Sequence, residues 1–236
     1  MVSLKNWDNK TWLSSKKYIH AFNSFILKQK KLKKHSRILD IGCGRGKIIS
    51  NIFERLKLVN KPIGLDIENH KDKSKKIVFK KIDGLSFISK TKITYDLILI
   101  KQTIHLLKIN QIIKLLSICK TKLNPKGKII ILSLDTKINE MPTFTLMNKK
   151  LKRSLNRDKK IIDLIIKIYP KIIIKKFIFN VKILKSEYLE MIEKRYISTL
   201  LNLSDKQIKD GLVEIDLKYK KDLKFRDRLI CLILKK

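Results

Sequence analysis

The sequence predicts an α/β fold in which a mostly parallel sheet is covered by helices on both faces. Three observations lead there. Strand-like and helix-like runs alternate from residue 37 to about 134, the order that a parallel sheet with helical crossovers requires. The run Asp96–Ile100 is short and apolar, as suits a buried central strand. A glycine-rich turn at 42–46 joins the first strand-like run to the helix-like run after it.

The elements follow in order. Residues 1–34 suggest helices carrying Trp7, Trp12, Tyr18, Phe22 and Phe25. Arg37–Ile41 is the first strand, and a helix runs from about Lys47 to Lys57. Pro62–Ile67 and Lys76–Ile82 are the second and third strands, and Asp96–Ile100 the fourth. Between Asn110 and Leu123, apolar Ile112, Ile113, Leu115, Leu116 and Cys119 recur at helical spacing. Asn124-Pro125-Lys126-Gly127 stops that helix and turns the chain into a fifth strand, Lys128–Leu134. Phe144 to about Tyr169 reads as one or two amphipathic helices ended by Pro170. Ile172–Leu184 is β-rich, with Phe177, Phe179, Val181 and Ile183 alternating. Ser186–Leu203 reads as helical. Ser204 with Gln207 three residues on marks a further helix start, and Arg228–Leu234 is a last apolar strand.

Composition bounds the function. There are 236 residues, of which 44% are hydrophobic, enough to bury a core. Lys and Arg number 56 against 21 acids, a net charge of +35, which attracts polyanions. Only eight of the 56 are Arg, however, and Ala21 is the only alanine. Nucleic-acid surfaces favour the planar fork of Arg, and the lysines here are spread along the whole chain. The excess therefore reads as the coding bias of an AT-rich genome before it reads as a polyanion site. Cys43, Cys119 and Cys231 lie far apart, with no CxxC pair and no Cys/His cluster at metal spacing. Buried free thiols in a reducing cytoplasm are the expectation, with no metal. The N-terminus lacks a signal-peptide core. The most apolar stretch, Ile161–Ile174, is broken by Asp163, Lys167, Pro170 and Lys171, so no membrane span is expected.

The chemistry-bearing residues sit at strand ends. Gly42, Gly44 and Gly46 let the backbone turn sharply and approach a ligand closely. Asp40, near the end of the first strand, can hold an amino-acid ammonium group. Asp66 ends the second strand, where an acid accepts hydrogen bonds from ribose hydroxyls. Asp83 ends the third, where a carboxylate can accept from an adenine amine. A G-x-G-x-G loop alone also resembles the G-x-G-x-x-G of NAD enzymes. As isolated residues, Asp66 and Asp83 read equally well as turn or cap residues. In register with the glycine loop, the three form a specific set.

On these residues the chain resembles the class I S-adenosylmethionine-dependent methyltransferases of the Rossmann-like kind. Ile38–Gly46 resembles their glycine motif, Leu65-Asp66 the ribose-binding acid, and Ile82-Asp83-Gly84 the adenine-side acid. Tyr95–Ile100 resembles the fourth-strand motif, and Leu123–Ile129 the leucine, proline, glycine signature before strand five. The match covers roughly 35–135. Cys43 as the loop's second residue departs from the pattern, as does the long segment between the last two strands. The resemblance implies a seven-stranded, mostly parallel sheet and S-adenosylmethionine as cofactor. It implies a cofactor site comprising Asp40, Gly42, Cys43, Gly44, Gly46, Asp66, Ile67, Asp83, Gly84, Lys101 and Gln102. It also implies one domain over 1–236. Within it, 1–34 would form a helical lid, 35–135 the cofactor core, and 136–236 the rest of the sheet with a substrate cap at about 185–226.

The acceptor side is less defined. His105 follows strand four, where the family places substrate-facing groups, and is the general-base candidate. Packing or capping at the next helix is the plainer role for it. Trp7, Trp12 and Tyr18 either close over the substrate or pack a helix onto the core. Arg195 and Tyr196 lie in the insertion. Arg195 suits a substrate carboxylate, or a salt bridge to Glu193 or Asp205. A cap of this kind suits a small-molecule acceptor methylated at oxygen or nitrogen, acids included. The rival reading is an RNA methyltransferase using the basic surface. Lys101-Gln102-Thr103-Ile104 is not the Asn/Asp-Pro-Pro-Tyr/Phe motif of adenine N-methylation, no Pro-Cys pair suggests cytosine chemistry, and no RNA-binding module is visible.

Overall fold

Apolar residues run almost unbroken through the central strands and recur every third or fourth position along the helices, and this pattern fixes the layers. The computed structural model describes residues 11–236, so Trp7 lies outside the described residues. A 3-10 turn at Trp12–Ser14 leads into α1 (Lys16–Gln29). Then follow β1 (Ile38–Ile41), α2 (Lys47–Leu56), β2 (Ile63–Asp66) and β3 (Val78–Lys81). The chain continues through α3 (Gly84–Lys90), β4 (Tyr95–Lys101), α4 (Ile109–Thr121) and β5 (Leu123–Leu134). The C-terminal part is α5 (Thr145–Ile168), β6 (Ile173–Ile183), α6 (Lys185–Glu193), α7 (Asp205–Lys218) and β7 (Leu223–Lys235).

The seven strands form one sheet in the order β3-β2-β1-β4-β5-β7-β6. β1 to β5 pair in parallel, while β7 runs antiparallel between β5 and β6. Strand order reverses between β1 and β4, which opens a crevice at the carboxyl edge of the sheet. Two cores flank the sheet. Leu97, Leu99, Ile130 and Leu132 point to the face covered by α1 and α2. Ile98, Ile100, Ile129 and Ile131 point to the face covered by α3, α4 and the second half of α5. Among the described residues, no helix is long and apolar enough to cross a membrane.

Three features refine the sequence reading. The Asn124–Gly127 turn lies inside β5, as a bulge where the pairing jumps from Tyr95↔Leu123 to Leu97↔Lys128. Lys126 there has φ 62°, and a Cβ on Gly127 would stand 2.9 Å from the carbonyl oxygens of Asn124 and Tyr95. Residues 145–168 form one helix, not two. The insertion between β6 and β7 holds α6 and α7, and Ser204 caps α7 in a reciprocal pair with Gln207. Where β6 and β7 pair beyond Leu229, the last β7 residue opposite β5, they form a two-stranded ribbon projecting past the carboxyl edge.

Candidate active site

The crevice is built from the carboxyl ends of β1, β2, β3 and β4. Gly42, Gly44 and Gly46 have φ of 76°, 54° and 70°, a region costly for residues with a Cβ. The Gly42 and Cys43 amides both donate to the Leu65 carbonyl, at 2.8 and 2.9 Å, which ties the turn to β2. A Cβ on Gly42 would lie 2.1 Å from Thr103 Oγ1, so the segment after β4 presses onto the turn there. Around Gly44, by contrast, a Cβ would meet nothing within 4 Å, and the turn is open on that side. Gly46 caps α2 without a side-chain bond, leaving first-turn amides of the helix available to a ligand.

Asp40 stands one residue from the end of β1, 3% exposed, and its Oδ1 has no hydrogen-bond partner. Burial pushes its pKa up to about 7; the Lys101 ammonium opposes this and Asp66 adds to it. Two consequences have the same sign. Between about pH 4 and 7 the folded protein holds a proton that the unfolded chain releases, so this group's contribution to stability falls as pH rises through that window. The group is charged only above it. Thermal unfolding of the ligand-free protein should therefore lose an increment of Tm between pH 5 and 8 that Asp40→Asn does not lose. Equal pH slopes in the two proteins would count against the shift.

Asp66 is held from several sides. Its Oδ2 accepts from the Gly44 amide at 2.8 Å and its Oδ1 from the Glu68 amide at 3.0 Å. His70 Nε2 lies 3.6 Å from Oδ2. Burial favours the neutral acid, but the bonds from His70, Glu68 and Gly44 outweigh it and hold the pKa below the ordinary carboxylate value. Asp66 thus latches the glycine turn to the end of β2 in its charged form. The next residue, Ile67, is 65% exposed beside it. Cys43 packs against Gly64, and burial pushes its thiol pKa up. Asp83 caps α3, its Oδ1 accepting from the Ser86 amide at 2.9 Å. Gly84 follows because a Cβ there would sit 2.4 Å from Ile41 Cγ2.

At the end of β4, Gln102 takes φ 51° and its amide donates to the Leu132 carbonyl at 2.7 Å. Lys101 Nζ donates to Gln102 Oε1 at 3.1 Å and lies 5.5 Å from the ring centroids of both Tyr18 and Phe22. Trp12 Nε1 donates to Asp227 Oδ2 at 3.3 Å. The Trp12 ring packs on Tyr188, Tyr196 and Phe225, with centroids 6.5, 5.5 and 5.1 Å away. The Tyr188 and Tyr196 hydroxyls are 3.0 Å apart, and Tyr188 donates to the Pro142 carbonyl at 2.5 Å.

The structure therefore gathers Asp40, the glycine turn, Asp66, Ile67, Asp83, Gly84, Lys101 and Gln102 along one edge. Trp12 and Tyr18 join them from the N-terminal segment, and Tyr196 reaches Trp12 from the insertion. Two further sequence-derived site residues have neighbours outside this group. Arg195 donates through Nη2 to Asp205 Oδ1 at 2.6 Å and to the Leu203 carbonyl at 3.2 Å, fastening the link between α6 and α7. His105 lies in a 3-10 turn, Ile104–Leu106, that packs under α5. Burial, with Arg157 nearby, pushes its pKa down to about 4, so the imidazole is neutral near pH 7. Sequence reasoning missed Asp227, which is 5% exposed on the inner face of β7.

A glycine turn between strand and helix, acids ending the first two strands, and a 3-2-1-4-5-7-6 sheet define a class I Rossmann-like methyltransferase. A family model described as "Methyltransferase domain" matches residues 15–159, and the chain belongs to that family, with S-adenosylmethionine as methyl donor. No curated protein matches the chain. Among solved structures, an Anabaena variabilis protein assigned as a methyltransferase of an antibiotic biosynthesis pathway is similar, at 16% identity. The match covers 89% of this chain and 95% of that one, with TM-score 0.61. The plantazolicin methyltransferase BamL, in complex with a triazolic desmethylPZN analog and SAH, is 17% identical over 98% of this chain and 88% of its own, with TM-score 0.55. The related BpumL, in complex with SAH, is 20% identical over 98% and 87%, with TM-score 0.53. These likenesses are to the fold.

Proposed function

We propose that the chain transfers a methyl group from S-adenosylmethionine to the oxygen or nitrogen of a small molecule held under an aromatic cap. The cofactor supplies an electrophilic methyl group on a sulfonium. The residues at the crevice suit it. Asp40 offers an unpaired buried oxygen to the methionine ammonium. Gly44 leaves open space for close backbone approach. Asp66, with both oxygens on amides, has lone pairs left for the ribose hydroxyls. Asp83 takes the adenine amine with the oxygen that does not cap α3, and Ile67 and Gly84 flank the adenine. Cys43, Gly42, Gly46, Lys101 and Gln102 line the methionine end. Methyl transfer is an in-line displacement, so the chain's task is to align the acceptor and exclude water.

One observation carries the small-molecule reading. Trp12 before α1 and Tyr188, Tyr196 and Phe225 beyond β6 meet in one buried aromatic cluster against the ribbon past the carboxyl edge. A cap closed by the N-terminal segment and the insertion suits an enclosed acceptor, whereas a nucleic-acid enzyme needs an open basic groove. A methylation screen of metabolite extracts with labelled cofactor, run with and without ribonuclease, tests this. Label in ribonuclease-resistant small molecules is the expected result. Label confined to RNA, and abolished by ribonuclease, would replace it with the RNA reading.

His105 is the base candidate for an acceptor that carries a proton at neutral pH. With a pKa near 4, it would give the rate profile no limb near pH 6.5. His105→Ala is expected to lower turnover and leave cofactor affinity unchanged. Unchanged turnover would return His105 to packing beneath α5.

A further inference from the structure

β5 stops at Leu134, opposite Leu229, whereas β7 begins at Leu223. The β7 edge over 223–228 therefore has no strand of β5 beside it, and an open cleft of about 210 Å³ lies between that edge and residues 134–141. Leu134, Ile138, Met141 and Phe225 give the cleft apolar walls, and Asn139, Arg226 and Arg228 give it polar groups. Its volume is that of a subsite, since whole ligand sites run to about 300–1,000 Å³. β7 stands two strands from β4, and neighbouring strands lie about 4.8 Å apart. One small molecule can thus reach from the end of β4 to this cleft.

Two guanidinium groups share one carboxylate there. Arg226 Nε donates to both Glu140 oxygens at 2.9 Å, and its Nη2 lies 2.8 Å from Oε1. Arg228 reaches the same carboxylate through Nε alone, at 2.8 Å. The Arg228 side chain is only 11% exposed. Its two Nη groups have no protein acceptor among the described residues and are not sealed from solvent. A largely buried charge with four N–H donors unmet is a costly placement unless a ligand takes them. The other carboxylates nearby do not fill that need. Asp135 takes the Lys137 and Ile138 amides and pairs with Lys176 at 3.2 Å. Asp227 accepts from Trp12, and burial pushes its pKa up toward the neutral form. Nor does the 135–144 segment depend on Glu140 for its place, because Asp135 at one end and the Tyr188 bond to the Pro142 carbonyl at the other also hold it.

We infer that this cleft is the subsite for an oxyanion on the acceptor, a carboxylate or phosphate ester joined to an apolar body, bound by the Arg228 Nη groups with Arg226 beside them. The inference rests on the small-molecule reading above and gives that reading a substrate class. A guanidinium offers paired N–H groups at the spacing of carboxylate and phosphate oxygens. Arg195, the residue that the sequence suggested for such a group, is occupied by Asp205. Glu140 neutralises one of the two arginines and leaves a net positive charge for the ligand.

The test is calorimetric titration of the full chain, loaded with S-adenosylhomocysteine, with benzoate, phenyl phosphate and neutral benzamide. At least one of the two anions should bind about tenfold tighter than benzamide, and the tighter one identifies the oxyanion. Arg228→Gln should abolish that preference. Glu140→Gln removes a competing carboxylate and should strengthen anion binding about threefold or more. A role limited to latching the 135–144 segment predicts the same direction for both substitutions, because each breaks the latch. If Arg228→Gln fails to fold, the sign of the Glu140→Gln effect decides. Benzamide bound as tightly as both anions, or weakening of the anions in Glu140→Gln, would overturn the inference. Failure of the wild-type chain to bind S-adenosylhomocysteine would overturn the cofactor assignment instead, and the preference for anions can be read without it.

Discussion

Asp66→Ala should weaken S-adenosylmethionine binding by about a hundredfold or more. Two contributions add. The carboxylate is the proposed acceptor for two ribose hydroxyls, and hydrogen bonds to a charged group contribute about 1.5–3 kcal/mol each. It also latches the glycine turn, through the Gly44 amide at 2.8 Å and the Glu68 amide at 3.0 Å. Without it, those two amides must find water or a new partner, and the turn keeps only its Gly42 and Cys43 bonds to the Leu65 carbonyl. Asp66→Asn separates the contributions, because an amide oxygen accepts from one backbone N–H but not as a charged group. Calorimetric titration should rank the proteins wild type, Asn, Ala. An Asp66→Ala protein that binds as wild type would show that the second-strand acid does not touch the cofactor.

The second large effect is a contrast between neighbouring glycines. Gly42 and Gly44 both have positive φ, 76° and 54°, so alanine at either costs about 1–2 kcal/mol in backbone strain. Their surroundings differ. A Cβ at 42 meets Thr103 Oγ1 at 2.1 Å and Cγ2 at 2.5 Å, while a Cβ at 44 meets nothing within 4 Å. Gly42→Ala must therefore push the segment after β4 away, with a further cost of about 1–3 kcal/mol. It should lower the denaturation midpoint clearly, and Thr103→Gly should recover part of that loss. Gly44→Ala should cost stability only that backbone strain while its methyl fills the space proposed for the ligand, costing affinity. Equal losses of stability in the two variants would contradict the packing, and full affinity in Gly44→Ala would contradict the cradle.

Much of this was legible in the sequence, and what was hidden has physical reasons. The order of β1 to β5 and the glycine turn were legible, because buried parallel strands read as apolar runs and a turn with φ > 0 demands glycine. Ser204 and Gln207 announced α7 correctly, since a capping pair is a local signal. α3 was hidden: seven residues from Gly84 to Lys90 bury only Ile88, too few for a periodic pattern. The bulge at Asn124–Gly127 read as the end of an element. It is an interruption within β5, and only the pairing partner on β4 decides between the two.

β7 begins five residues earlier than the apolar run suggests. Lys224-Phe225-Arg226-Asp227-Arg228 looks polar when read straight through. Read at every second residue, Leu223, Phe225, Asp227 and Leu229 form one buried row. That alternation was the available signal for Asp227. Its partners were out of reach, because Trp12 lies 215 residues away in the chain. Arg195 was partly legible. A scarce arginine in the insertion suited a ligand carboxylate or a salt bridge to Glu193 or Asp205, and the structure pairs it with Asp205 ten residues on.

The central claim is that the crevice at the ends of β1, β2 and β4 is a methyl-donor site. Titrating S-adenosylmethionine into the wild-type chain by calorimetry tests it most directly. Saturable heat with one site per chain, competed by S-adenosylhomocysteine, is the predicted result. No saturable binding at millimolar cofactor, by a protein that unfolds cooperatively, would contradict it.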